Sequence, residues 1–170
     1  IPSSIVDCKH EVELAKTIKK QNPRIKIGFF GPFASVKPEI YLEAADFVIR
    51  NEPEEIIYKI KEGWIPQGIV ESSPVEDLDK LPFPRWELFP IKTFSYKPLI
   101  KKSPFVPVLS SRGCVFNCDY CPYKAYYGFL RKRSSDSVIK ELEYLKNKFN
   151  IKAVQFRDPI FTADKNRVLD

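Results

Sequence analysis

Cys114, Cys118 and Cys121 share one short run, Ser-Ser-Arg-Gly-Cys-Val-Phe-Asn-Cys-Asp-Tyr-Cys-Pro, with C-x3-C-x2-C spacing. Thiolates this close in sequence can each take one iron of a cubane cluster. Three protein ligands for four irons leave one coordination position open, and an open position separates catalytic metal sites from closed structural ones. The competing reading is a zinc knuckle completed by Cys8 or His10. Structural zinc draws four ligands as two close pairs, whereas Cys8 and His10 lie far upstream of the loop. Three crowded thiols cannot pair among themselves as disulfides. Thiolates kept for metal point to a reducing compartment, the cytoplasm.

A strand and a helix must hold that loop. Val106 to Ser110 reads as the strand leading into it. Ser134 or Ser135 is placed to cap a helix through Lys148. Val138, Leu142, Leu145 and Phe149 recur at helical spacing and predict one buried stripe. Ile151 to Arg157 reads as a second strand, which Asp158-Pro159 ends, and Thr162 is expected to cap a further helix. Together these form a βαβ unit. In parallel β/α barrels the active groups follow the carboxyl ends of strands, where Cys114 and Asp158 both fall.

Upstream, helix and strand signals alternate from Ile1 to Gly63, which predicts a parallel, doubly wound sheet. Glu11 to Lys20 reads as an amphipathic helix. Arg24 to Phe30 reads as a strand with Ile25, Ile27 and Phe29 on one side, and Gly31-Pro32 as a turn. Pro38 suits a helix start ahead of Glu39 to Ala45. Phe47 to Ile49 is a short strand, and Pro53 opens a helix with Ile56, Ile57 and Ile60 inward, stopped by Gly63. Between Ile65 and Pro107 come Pro66, Pro74, Pro82, Pro84, Pro90, Pro98, Pro104 and Pro107, which predict an extended segment. Phe83, Trp86, Phe89, Phe94 and Tyr96 interleave with them, and such aromatics pack on a domain surface. The segment is therefore expected to be a strap gluing two domains.

The 170 residues, 44% hydrophobic, suffice for one ordinary domain or two small ones. A net charge of +6 is a mild, scattered excess that argues for a solvated surface over nucleic-acid binding. No apolar run approaches the roughly twenty residues that span a bilayer. The chain opens on Ile1, lacks methionine, and stops at Asp170 within a helix-like stretch. These features predict a piece of a longer protein, inactive by itself, in which neither domain closes its core.

The cysteine run, with Tyr120 as its aromatic, resembles the signature C-x3-C-x-aromatic-C of the radical S-adenosylmethionine (SAM) superfamily. The sheet, the run Leu-Pro-Phe-Pro-Arg-Trp-Glu-Leu-Phe-Pro (81–90) and the cysteine loop, in that order, resemble its cobalamin (B12)-binding branch. The resemblance implies three parts. Residues 1–64 would be the end of a Rossmann-like (flavodoxin-like) B12-binding domain, 65–104 a linker, and 105–170 the first βαβ of a radical SAM partial (β/α) TIM-type barrel. It further implies that Cys114, Cys118 and Cys121 hold a [4Fe–4S] cluster, that Tyr120 lines the adenine pocket, and that Asp158 meets the SAM ammonium or ribose.

For cobalamin, Ser3-Ser4 resembles the family's hydroxyl turn, Gly31-Pro32-Phe33 its Gly-Gly-Pro-His turn, and Asn51-Glu52-Pro53-Glu54 its Gly-Glu-Gly-Glu turn. Phe30, Phe33, Asn51 and Pro53 depart from that pattern, and no Asp-x-His-x-x-Gly motif is present. His10, the single histidine, reads as a surface helix residue rather than a cobalt ligand. The implied chemistry is reductive cleavage of SAM to a 5′-deoxyadenosyl radical, followed by methylation of an unactivated carbon of a small molecule. The electron donor would be a flavodoxin or ferredoxin. One alternative is a cobalamin-independent radical SAM enzyme such as a tRNA methylthiotransferase, against which the lone upstream Cys8 argues. The other is a non-catalytic metal-binding nucleic-acid module.

Overall fold

The computed structural model describes residues 1–170 except 95, 97 and 98, so Pro98 of the expected strap lies outside the described residues. The chain divides into two compact units: Ile1–Val75 with Phe116–Phe129, and Glu76–Val115 with Leu130–Asp170. The first unit is discontinuous, and it borrows the second half of the cysteine loop.

The first unit runs α1 (Cys8–Gln21), β1 (Gly28–Phe30), α2 (Pro32–Val36), α3 (Pro38–Leu42), β2 (Phe47–Arg50), α4 (Glu54–Lys61) and β3 (Gly68–Glu71), then α5 (Pro122–Tyr127). The strands lie in the order β1-β2-β3, all parallel, and Pro2 adds a parallel bridge to Phe30. Side chains alternate between the two faces of the sheet. Phe29 and Val48 join Val12, Ala15, Ala34 and Tyr41 on one face, while Phe47 and Ile49 meet Ile56 on the other. The Phe29 and Tyr41 rings lie 4.5 Å apart. Burying one such large side chain stabilises by roughly 1.5–3 kcal/mol. Gly28 lies opposite Phe47, and a Cβ there would sit 2.1 Å from its ring, so glycine is what lets the two strands seat that phenylalanine.

Several expectations need correction here. Ile25 is exposed rather than sharing the face of Ile27 and Phe29. Of the three isoleucines expected inward on α4, only Ile56 is buried, while Ile57 and Ile60 are exposed. A three-stranded sheet is too narrow to cover more of that helix. Gly31-Pro32 does not merely turn the chain. Gly31, at φ 123°, precedes α2, and Pro32 opens it, where its missing N–H costs nothing. Residues 68–71 are a strand, where an extended crossing segment was expected.

In the second unit β4 (Phe105–Val108) pairs parallel with β7 (Ala153–Phe156), and α6 (Ser135–Phe149) connects them. A short antiparallel pair, β5 (Ser111–Arg112) with β6 (Arg131–Lys132), sits between, and α7 (Lys165–Leu169) closes the chain. The Ser134 side chain accepts the Ser137 N–H at 3.1 Å and caps α6. Asn150 ends it in the left-handed region, as a C-terminal cap requires. Thr162 does not cap α7; it lies in a 3₁₀ turn, and Asp164 takes that role by accepting the Arg167 N–H. Val106, Val108, Leu145 and Ile151 form the core together with Trp86 and Ile91 of the proline-rich segment, so that segment contributes to this unit's interior. The fold is mixed α/β with parallel sheets. Among the described residues β4 and β7 form a two-stranded sheet and no barrel closes. No described helix is long and apolar enough to cross a membrane.

Candidate functional site

The carboxyl end of β4 passes straight into the cysteine loop, and its root is fastened by hydrogen bonds. Ser110 and Ser111 are both fully buried. Burial obliges their polar groups to find partners, and the carboxylate of Asp158, just beyond β7, supplies them. Its Oδ1 accepts the Ser110 hydroxyl at 2.9 Å and also the Ser111 hydroxyl. The Ser110 N–H lies 3.1 and 3.2 Å from its two oxygens. Among the described residues Oδ2 accepts nothing further and keeps acceptor capacity. Gly113, at φ 79°, then turns the chain in a region few other residues adopt.

Cys114 is half-buried at the end of the second unit's segment, whereas Cys118 and Cys121 belong to the first unit. The Cys121 N–H donates to the Cys118 carbonyl at 3.1 Å, and Cys121 occupies the position before α5, which Pro122 opens. Among the described residues no cysteine is in a disulfide, and no three His, Cys, Asp or Glu side chains are drawn together closely enough to hold a metal ion. The donors nevertheless suit an iron–sulfur cluster in kind, being three unoxidised thiols on one loop, all reachable by solvent. Tyr120 is almost fully exposed, and the neighbouring Cys118 thiol, by charge and by hydrogen bond, holds its phenol above the ordinary value.

In the first unit, Gly31 and Asn51 follow the carboxyl ends of β1 and β2, and Ser3 follows the Pro2 bridge to Phe30, all at the edge where open α/β sheets bind ligands. The Ser3 hydroxyl accepts the Ala34 N–H at 2.9 Å, closing the first turn of α2 from a distant segment. A Cβ on Gly31 would meet that hydroxyl at 2.8 Å. Asn51 adopts φ 66°; its N–H donates to the Ser35 hydroxyl at 2.9 Å, and its amide to the Ser72 carbonyl at 3.2 Å. Ser4 faces another way, toward α1: its N–H donates to Glu11, and its carbonyl accepts the Tyr41 hydroxyl. Glu52 is fully buried, and its carboxylate accepts the Val75 N–H. With its hydroxyls, its glycine, its side-chain amide and the Arg50–Glu71 ion pair at 2.8 Å, this edge fits a polar, amide-bearing group. His10 is exposed on α1.

Sequence reasoning missed Glu141. It is 1% exposed, accepts the Trp86 indole N–H at 3.0 Å, and pairs with Arg133. Arg133 also donates to the Leu109 carbonyl at 3.1 Å and lies over the Phe83 ring. A signal was present: Glu141 stands on the same stripe as Val138 and Leu145, three and four residues away. A cleft of about 180 Å³, lined in part by Phe83, Trp86, Ser111, Arg112, Arg133 and Glu141, opens beside this network. That is smaller than the roughly 300–1,000 Å³ of ordinary ligand pockets.

No family model matches the chain. Over 92% of its length it is 29% identical to an uncharacterized methyltransferase of Pyrococcus horikoshii, covering 38% of that protein. Over 98% of its length it is 28% identical to an uncharacterized methyltransferase of Synechocystis, covering 29% of it. A 95-residue stretch is 30% identical to the cytidylyl-2-hydroxyethylphosphonate methyltransferase of Streptomyces wedmorensis, spanning 52% of this chain and 18% of that protein. The chain is thus similar to methyltransferases and spans well under half the length of each.

Proposed function

We propose that the chain is part of a radical SAM methyltransferase that works with a [4Fe–4S] cluster and with cobalamin. The observation that carries this reading is the C-x3-C-x2-C run with Tyr120, set after a parallel strand, in a chain whose relatives are named methyltransferases. Cys114, Cys118 and Cys121 would hold the cluster and leave one iron for SAM. When bound, the cofactors would supply the electron that opens the sulfonium C–S bond and the methyl group to be transferred.

The chain's own residues have the tasks of holding and orienting. Asp158 fixes the root of the loop through Ser110 and Ser111 and, through Oδ2, offers an acceptor to the SAM ammonium or ribose. Tyr120 would cover the adenine. Ser3, Gly31, Pro32 and Asn51 would take the cobalamin tail at the sheet edge, with Ser4 and Glu52 shaping that edge from behind. The substrate would be a small molecule, and reducing equivalents would come from a flavodoxin or ferredoxin.

The test is anaerobic purification of the full-length protein, reconstitution with iron, sulfide and cobalamin, and spectra with and without SAM. A cluster absorbance that SAM perturbs, about four irons per chain, and a corrin spectrum are expected. Cys118→Ala should lose the cluster. Absence of iron from the wild type would overturn the radical SAM reading, and absence of corrin would remove cobalamin.

A further inference from the structure

We propose that Arg167 is a positioning residue for the cysteine loop, acting through Ser110; the inference deepens the reading of the loop as a cluster site. Arg167 lies on α7, well past β7 and the Asp158 that follows it, yet its guanidinium reaches back to Ser110, just beyond β4. Its Nη1 donates to the Ser110 hydroxyl at 2.9 Å and to the Ser110 carbonyl at 3.3 Å, and its Nη2 donates to the Phe161 carbonyl at 3.2 Å. The guanidinium lies over the Phe161 ring, 5.7 Å from its centroid, and that ring stacks on Phe156 of β7.

Ser110 therefore has every polar group occupied. Its N–H and hydroxyl donate to Asp158, its hydroxyl oxygen accepts from Arg167, and its carbonyl accepts from both Arg167 and the Arg133 N–H. Such saturation is more than a strand end needs, and it falls four residues before Cys114. The planar fork of arginine joins Ser110, held through Nη1, to the Phe161 carbonyl, held through Nη2, an arrangement that a lysine ammonium reproduces less rigidly. Among the described residues the Arg167 Nε is buried with no hydrogen-bond partner, a cost accepted where the guanidinium is fixed by other demands. Asp158 and Arg167 thus grip Ser110 from opposite charges, and the backbone leaving it toward Gly113 has one direction.

The experiment measures thiol reactivity in the cluster-free, reduced full-length protein. Pulsed maleimide labelling and peptide mass mapping give the rate at Cys114 relative to Cys118 in the same molecules. Arg167→Ala should raise that ratio at least threefold, Arg167→Lys should restore it partly, and the exposed neighbour Lys165→Ala should leave it unchanged. Iron content after reconstitution should follow the same order. Circular dichroism confirms that each variant folds; should Arg167→Ala fail to fold, Arg167→Lys alone decides, with an intermediate ratio expected. An unchanged ratio in a folded Arg167 variant overturns the proposal. Because labelling needs no cluster, failure of the wild type to bind iron would sink the radical SAM reading and leave this result standing.

Discussion

The two sheet edges at which the candidate residues lie are built by different means. At the carboxyl edge of β1-β2-β3 the turns are shaped by main chain and hydroxyls, with Gly31 and Asn51 at positive φ and Ser3 and Ser35 accepting backbone N–H groups. The charges there are the exposed Arg50–Glu71 pair at 2.8 Å and the buried Glu52. At the carboxyl end of β4 and β7 the shape comes from ions, with Asp158 and Arg167 on Ser110, and Glu141 with Arg133 beneath. Neutral hydrogen bonds contribute about 1 kcal/mol each, whereas a buried ion deprived of its partner costs several. The Gly31 and Asn51 turns of the first edge should therefore yield gradually to mutation and the second edge abruptly.

The largest expected effect is at Glu141. Glu141→Ala strips the acceptor from Trp86 and leaves the Arg133 charge buried and uncompensated, for a loss of about 3–5 kcal/mol in urea unfolding. Glu141→Gln, which keeps an acceptor for the indole but loses the charge, should lose less; equal losses would mean that the Trp86 hydrogen bond adds nothing beyond the charge pair. At the first edge, Gly31→Ala should cost about 1–3 kcal/mol, from the positive-φ backbone and the new methyl against Ser3. A loss as large as that of Glu141→Ala would erase the contrast between the two edges.

The smallest effect tests an ion pair lying away from either edge. Asp46 precedes β2; burial alone would raise its pKa, but hydrogen bonds from Lys19, the Ile27 N–H and Lys26 hold it at about 2. With the folded value below the unfolded one, its contribution is full above the ordinary carboxylate range and is lost as pH falls through about 4 to about 2. Solvent screening reduces that contribution to the order of 1 kcal/mol. Stability of Asp46→Asn should therefore converge on that of the wild type between pH 4 and pH 2, and parallel curves would refute the assignment.

What the sequence disclosed follows the same division. Regular patterns were legible: the α6 stripe, its Ser134 cap, and the βαβ order of β4, α6 and β7 all rest on local periodicity. Interactions between distant residues were not. Nothing near Ser110 announces Arg167, 57 residues on, and although the stripe marks Glu141 as inward, nothing beside it names Trp86 and Arg133 as its partners. Short elements also escaped: β3 holds four residues between prolines, and β5 and β6 two each, too few to show a period. The cysteine spacing was plain in the sequence, but the division of the loop after Val115 was not, because it depends on α5 packing against α2.

That interleaving has a practical result for anyone dissecting the molecule. No single cut separates the halves cleanly. A peptide ending at Val75 would bare the face of α2 that α5 shields, and one beginning at Glu76 would drag Phe116–Phe129 along without its bed. Proteolytic nicking at the proline-rich stretch should consequently leave the products associated until denaturant is added.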